Sequence, residues 1–143
     1  MLDRYIIIDI EQMIADYDDN QTSLEAIREQ YNELCEKGVG SIDYAKDRVQ
    51  ISPTDDGMAN QIARKEDLQE KIDGYTRFFA IYDPAWERLT EQEKYILTEF
   101  CKIKYKRKQD AIDNVCEKYG IEVSRAYALR RNALVRFRRL MFG

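Results

Sequence analysis

Hydrophobic residues recur at helical spacing from the first residues of the chain onward. Between residues 2 and 17 the apolar positions are separated by four, three and four residues: Ile6, Ile10, Met13 and Tyr17. This spacing places them on one face of an α-helix. The polar residues 18–20 interrupt the pattern, and Thr22 with Glu25 then matches a capping box at the start of a second helix. Because the connection is short, we expect the two helices to form an antiparallel hairpin.

The second helix carries a heptad-like seam of apolar residues, separated by three, four and three positions: Leu24, Ile27, Tyr31 and Leu34. Gly38-Val39-Gly40 predicts its end, since glycine is common just beyond a helix C-terminus. Residues 38–57 are rich in turn-forming residues, with one short possible strand at 48–51. A loop of this length in a compact domain is typically functional or mobile.

A third, longer helix is predicted over residues 58–82. Its apolar residues repeat at four, three, four and three positions: Leu68, Ile72, Tyr75, Phe79 and Tyr82. A repeat of 3.5 residues favours coiled-coil packing, either within the chain or across a homodimer formed through this helix. Asp83-Pro84 predicts its end, because the residue before proline avoids the α conformation.

The C-terminal part reads as a helix-turn-helix. Thr90 and Glu93 form a second capping box, and Lys102–Lys108 reads as a positively charged connection into the next helix. Gly120 supplies a turn residue for which a positive φ costs little. Ser124 is a candidate cap for the last helix. The core stripe of that helix recurs at three- and four-residue spacing: Ala126, Leu129, Ala133, Phe137 and Leu140.

These patterns predict an all-α protein. We expect an acidic helical body over residues 1–83, made of an N-terminal helical hairpin and a long coiled-coil-like helix. A basic helix-turn-helix domain is expected over residues 84–143.

Charge is distributed very unevenly between the two ends of the chain. Residues 101–143 hold 12 Lys and Arg against 4 Asp and Glu, a balance of +8. Residues 1–100 hold 11 against 23, a balance of −12, and the whole chain therefore carries only −4. A basic end of this kind favours a polyanion as its partner.

A helix-turn-helix inserts its second helix into the major groove of double-stranded DNA. With the core stripe turned inward, Arg125, Tyr127, Ala128 and Arg131 point away from the protein and are candidates for base contacts. Arginine suits guanine, which it binds through O6 and N7. Other cations of the same region are candidates for phosphate contacts that fix the register: Lys104, Lys106, Arg107, Lys108, Arg130, Arg136 and Arg138.

The residues of this region also resemble sigma-70 region 4. The resemblance rests on Leu89-Thr90-x-x-Glu93-x-x-Ile96-Leu97, on Tyr119-Gly120-Ile121, and on the segment Leu-Arg-Arg-Asn-Ala-Leu-x-Arg-Phe-Arg at residues 129–138. In its layout the whole chain is similar to small phage-encoded regulators of the RinA and ArpU groups. The specific part of the resemblance covers about the last third of the chain.

The resemblance implies a transcriptional regulator of phage or prophage genes that acts in the bacterial cytoplasm, with RNA polymerase as a further expected partner. By position, the side chains facing the groove would be Val123, Ser124, Tyr127, Ala128 and Arg131. Sigma factors carry polar or charged readers at the positions of Val123 and Ala128, so the sequence preference should differ. The other sigma regions have no counterpart in this chain.

Catalysis is not expected. The chain has no histidine, the commonest general base and metal ligand. Gly38-x-Gly40 lacks the downstream glycine and lysine of a phosphate-binding loop. Its three cysteines are far apart in sequence, which favours neither a disulfide framework nor a zinc site. We therefore expect a protein without cofactor or metal.

The sequence also predicts a cytoplasmic protein without a membrane anchor. No run approaches the roughly 20 apolar residues that span a bilayer. The N-terminus begins with Met1-Leu2-Asp3, so a basic region before an apolar signal core is not present there.

Three other interpretations remain open. Small-terminase packaging proteins also join a helix-turn-helix to oligomerising helices, and they would form rings of many subunits. The N-terminal helices are alternatively a protein-binding module that docks on RNA polymerase. Finally, the arginines of the last helix could simply pair with the acidic N-terminal helices. The operator, and the choice between activation and repression, do not follow from the sequence.

Overall fold

The computed structural model describes residues 2–36, 54–103 and 107–143, and all of its regular structure in these ranges is helical. Five α-helices are present there: α1 (Leu2–Glu36), α2 (Thr54–Glu87), α3 (Glu91–Leu97), α4 (Lys108–Tyr119) and α5 (Val123–Phe142). A π-helical segment, Thr98–Lys102, continues α3. The predicted all-α class is confirmed. The possible strand at 48–51 and most of the predicted loop at 38–57 lie outside the described residues.

The predicted N-terminal hairpin is wrong, because α1 is one uninterrupted helix of 35 residues. Residues 18–20 contain no glycine or proline, and Asp and Asn cost at most about 0.7 kcal/mol each relative to alanine inside a helix. Buried Ile14 lies before this polar segment and buried Leu24 lies after it. Packing on both sides outweighs the weak local preference, so Thr22 lies within the helix and does not cap it.

Helix α2 likewise extends beyond both predicted limits. It begins at Thr54 instead of Met58 and passes through Pro84 to end at Glu87. Proline removes one backbone hydrogen bond and crowds the preceding turn, which usually kinks or ends a helix. Here Tyr82 and Ala85, on either side of Pro84, are both buried in the core. Their burial explains why the helix continues for one more turn.

Contacts within the chain divide it into two compact units that differ from the predicted division at residues 83 and 84. Unit 1 comprises Met1–Asp19 and Phe78–Gly143, and unit 2 comprises Asn20–Arg77. The first turns of α1 and the last turns of α2 therefore belong to the same unit as the C-terminal helices. Helices α3, α4 and α5 therefore share a compact unit with these segments.

The main core of unit 1 is aromatic at its centre. Phe137 of α5 is fully buried, and its ring meets Tyr82 edge-on at a centroid distance of 4.9 Å and Trp86 at 5.5 Å. Tyr17 of α1 packs against Tyr82 at 4.6 Å, and its hydroxyl donates a hydrogen bond of 2.8 Å to Asp83. Aliphatic and small residues complete this core: Ile10, Ile14, Ala85, Leu89, Leu97, Cys101, Ala133 and Leu134.

Unit 2 is much more sparsely packed. Among its described side chains only Leu24 and Leu68 are buried. The other residues of the two predicted seams are half-buried: Ile27, Tyr31, Leu34, Ile72 and Tyr75. The heptad spacing thus identified the inward side of both helices correctly. Met58 and Ile62, at the start of α2, remain exposed.

Candidate nucleic-acid interface

A left-handed residue joins the two helices of the predicted helix-turn-helix. Gly120 follows α4 with φ 62° and ψ 41°, and its amide donates to the carbonyl of Cys116. The amide of Ile121 donates to the same carbonyl at 3.2 Å. Residues other than glycine adopt this conformation at a cost, so the turn explains the glycine. The predicted role of Gly120 is confirmed.

Helix α5 begins two residues earlier than a cap at Ser124 would require. Glu122 is the N-cap residue, with an extended backbone at φ −83° and ψ 162°, and no side chain caps the helix. Its carbonyl accepts the first helical hydrogen bond from Ala126 at 3.0 Å. The expected capping role of Ser124 is wrong, because Ser124 already lies in the first turn. Ser124 is an exposed residue.

A small apolar core holds α4 and α5 at their turn. Ile96 of α3, Val115 of α4 and Ala126 of α5 are buried together, and Ile121 packs against them from the turn. Tyr95 and Tyr119 meet edge-on at a centroid distance of 5.8 Å on the same side. Ala111 of α4 is buried as well. These contacts fix which side of α5 faces away from the protein.

All five predicted base-reading residues lie on the exposed side of the first three turns of α5: Ser124, Arg125, Tyr127, Ala128 and Arg131. The helix carries six arginines over its length and no Asp or Glu. Val123, which the resemblance also placed toward the groove, is exposed. The structure therefore brings together the residues that the sequence singled out.

The predicted phosphate-contacting residues are less uniform in their placement. Arg107 and Lys108 are exposed at the start of α4, whereas Lys104 and Lys106 lie outside the described residues. Arg138 is half-buried. The other two predicted residues, Arg130 and Arg136, are paired with carboxylates of the protein itself.

Arg130 is a link between α5 and α1. Its guanidinium forms an ion pair with Glu11, and its central carbon lies 5.2 Å from the centroid of the Phe100 ring. The Arg130 side chain is only 18% exposed, and its Nε has no hydrogen-bond partner within the described residues. Removing one partner of such a pair leaves the other charge poorly solvated. Arg130 therefore serves packing within unit 1 and is poorly placed to reach a phosphate.

Arg136 joins α5 to the start of α3. It forms an ion pair with Glu93 and donates a hydrogen bond of 3.3 Å to the carbonyl of Arg88. The same Glu93 accepts from the amide of Thr90 at 2.8 Å, while the Thr90 hydroxyl accepts from the amide of Glu93 at 3.2 Å. The capping box predicted for α3 is confirmed, and one of its two residues also orients α5.

Sequence reasoning did not identify Glu11 and Glu93 as partners of particular arginines. Glu11 is separated from Arg130 by 119 positions and Glu93 from Arg136 by 43. The only available signal was general: an acidic N-terminal half and a basic helix could attract each other. That alternative applies to Arg130, whose partner lies in α1, and not to Arg136, whose partner lies in the first turn of α3. Within the described residues, Arg125 and Arg131 have no ion-pair partner among the carboxylates.

Three weakly acidic side chains in or against the main core, Cys101, Tyr17 and Tyr82, have raised pKa values. Burial raises the pKa of the Cys101 thiol to about 12, with the carboxylate of Glu11 adding to the effect. Burial, together with the hydrogen bond to Asp83, raises the pKa of Tyr17 to about 12. Burial also raises the pKa of Tyr82. A buried, protonated thiol is a poor nucleophile, so Cys101 acts as a core residue.

The described residues contain no cluster of three or more potential metal-ligating side chains. None of the helices in the described ranges combines the length and the apolar composition that crossing a membrane requires. Comparison with models of protein families, with curated protein sequences and with solved structures gives no match to this chain.

Proposed function

We propose that this protein is a sequence-specific DNA-binding regulator of transcription, encoded by a phage or prophage, that inserts α5 into the major groove. The observation that carries the proposal is the exposed arginine-bearing face of α5 behind the Gly120 turn. Arg125 and Arg131 lie on this face without intramolecular ion pairs among the described residues. Unpaired guanidinium groups on a helix of this kind are suited to guanine edges and phosphates.

The difference between paired and exposed cations supports the same proposal. Two arginines of α5 are occupied by Glu11 and Glu93, which orients the helix within unit 1. Other cations are exposed in the first turns of α4 and α5. A helix whose arginines served only to hold the protein together would not leave Arg125 and Arg131 in water. RNA polymerase as a further partner, and a homodimer through residues 58–82, remain parts of the proposal.

The proposal is tested by selecting duplexes from a randomised pool with the purified full chain and measuring affinity for the selected site. Affinity should fall steeply with salt, with a slope of about −0.9 in log–log form for each phosphate contacted. Arg125→Ala and Arg131→Ala should each weaken binding about 5- to 150-fold, the range for one lost bidentate base contact.

Arg28→Ala is the matched control, because Arg28 is an exposed arginine of α1 in unit 2. It should leave affinity within about twofold. If no duplex is enriched and none is bound at 50 mM salt, the proposal is wrong. It is equally wrong if Arg28→Ala weakens binding as much as Arg131→Ala does. Arg107→Ala should lower the salt slope by about 0.9 while weakening all duplexes alike.

A further inference from the structure

The face of α5 that points away from the protein is partly apolar. Val123 is 49% exposed and Tyr127 is 40% exposed. Both are large side chains, and leaving their apolar surface in water is unfavourable compared with burying it. They are four residues apart, so they are neighbours on the helix surface. Single exposed apolar residues are ordinary on protein surfaces. Two adjacent exposed apolar residues in the first turns of an arginine-rich helix are a more specific sign of a binding surface.

Two small residues lie beside this pair. Ser124 and Ala128 are exposed and are also four residues apart, next to Val123 and Tyr127 in sequence. Their small side chains let the backbone of α5 approach another surface closely. Arg125 and Arg131 are exposed on the same turns. The surface therefore allows another molecule to approach the backbone of α5 closely, and it exposes two apolar groups and two cations.

None of these apolar side chains belongs to the buried core behind α5. That core is formed by Ile96, Val115 and Ala126. Tyr127 is held near the surface by Phe100, whose ring centroid lies 6.3 Å from its own. Its ring is thus supported on one side and open on the other. Val123 precedes it by one turn and is open to solvent.

The occupant must match both the charge and the apolar groups. A helix with six arginines and no carboxylate calls for a polyanion. Within the major groove of duplex DNA, the C5-methyl group of thymine is the apolar group that base edges offer. Alanine and aromatic side chains are among those that contact this methyl group. The exposed arginines, in turn, suit O6 and N7 of guanine.

We infer that Val123, Tyr127 and Ala128 read thymine methyl groups, so that the preferred duplex carries thymines beside the guanines bound by Arg125 or Arg131. This inference rests on the proposed DNA-binding function. It adds a chemical class of target that the arginines alone do not specify. Discrimination at the thymine positions comes from burying a methyl group and does not need a hydrogen bond.

The test replaces thymine by deoxyuridine, one position at a time, in the duplex selected from the randomised pool. Deoxyuridine lacks only the C5-methyl group and keeps the same hydrogen-bonding edge. Binding should weaken about fourfold at one to three positions, the effect of burying one methylene-sized group. Val123→Thr, which exchanges a methyl for a hydroxyl at equal size, should reduce the difference between thymine and deoxyuridine at one of these positions. Tyr127→Ala should do the same at another.

Val135→Thr is the matched control, since Val135 is 41% exposed on the same helix but three turns farther along. It should leave the ratio of thymine to deoxyuridine affinities unchanged. Thermal unfolding of each variant shows whether it is folded, and the ratio within one variant is independent of the fraction of active protein. If the selected duplex is bound but no substitution by deoxyuridine changes affinity by twofold, the inference is wrong and DNA binding stands. If no duplex is selected, both are wrong.

Discussion

Unit 1 and unit 2 are both helical, yet they are stabilised to very different degrees. Unit 1 has a core centred on the fully buried Phe137, together with a second apolar cluster where α3, α4 and α5 meet. The described part of unit 2 buries only Leu24 and Leu68. Since burial of apolar surface is the main favourable term in folding, we expect unit 1 to be the more stable of the two. The unit that we expect to be more stable is therefore the one that carries the proposed DNA-reading face.

The largest expected difference comes from core truncation. Phe137→Ala should lower the free energy of unfolding by about 3–5 kcal/mol, because it removes a ring that contacts Tyr82 and Trp86. Leu68→Ala in unit 2 should cost about 2 kcal/mol, at the low end for leucine, because its half-exposed surroundings can relax into the space. Urea unfolding followed by circular dichroism measures both values.

The single tryptophan, Trp86, lies in unit 1 and reports on that unit alone. Its fluorescence should therefore change at higher urea concentration than the circular dichroism signal, which also includes unit 2. Coincident transitions in the wild type, together with equal costs for the two substitutions, would contradict the difference in stability between the units.

The second expected difference between the units concerns how the free energy of unfolding depends on pH. The pKa of Cys101 is raised from 9.0 to about 12 by burial in unit 1. A raised pKa gives stability that is complete below pH 9 and is lost as the pH rises toward 12. The loss should be about 1.4 kcal/mol per pH unit within this window for this one group. Cys101→Ala should make the decline between pH 9 and 12 shallower, as measured by urea unfolding at several pH values.

Leu68→Ala, which removes a buried residue of unit 2 and no titratable group, provides the control for the alkaline measurement. It should lower the free energy of unfolding by a similar amount at each pH and leave the pH dependence as it is in the wild type. The decline will not vanish in Cys101→Ala, because the pKa of Tyr17 is also raised to about 12. An identical decline in the wild type and in Cys101→Ala would show that the thiol is not protected in the folded protein.

The smallest expected difference compares two sequence segments that look alike. Thr90 and Glu93 form a capping box in unit 1, and Thr90→Ala should cost about 1 kcal/mol. Thr22 and Glu25 have the same spacing, but Thr22 lies inside α1 in unit 2. Thr22→Ala should change stability by less than about 0.5 kcal/mol, since alanine is the better helix former. Equal losses for the two variants, in thermal unfolding, would mean that α1 is interrupted near residue 22.

Much of the local structure of the C-terminal region could be predicted because its sequence signals are local. Gly120 is required by the left-handed turn, and Thr90 with Glu93 satisfies the amides at the start of α3. The 3.5-residue spacing of apolar residues correctly distinguished inward from outward sides in α1, α2 and α5. The exposure of Arg125 and Arg131 followed from that spacing. In each of these cases the residues that determine the local structure lie within about one or two helical turns of one another.

Other features depended on residues that are distant in sequence. Local propensity favoured a break at residues 18–20 and an end at Pro84, but burial of Ile14, Leu24, Tyr82 and Ala85 against other segments kept both helices continuous. The pairing of Arg130 with Glu11 and of Arg136 with Glu93 likewise arises only when α1, α3 and α5 are packed together.

The sequence by itself therefore determined the helical class, the turn at Gly120 and the basic face of α5, because each follows from residue type and spacing within one element. Only the tertiary structure decided which arginines of α5 form ion pairs within unit 1. An ion pair needs two side chains within a few ångströms, and for Arg130 and Arg136 the partners come from other helices. Packing thus paired Arg130 and Arg136 within unit 1, whereas the outward placement of Arg125 and Arg131 already followed from the spacing of the core stripe.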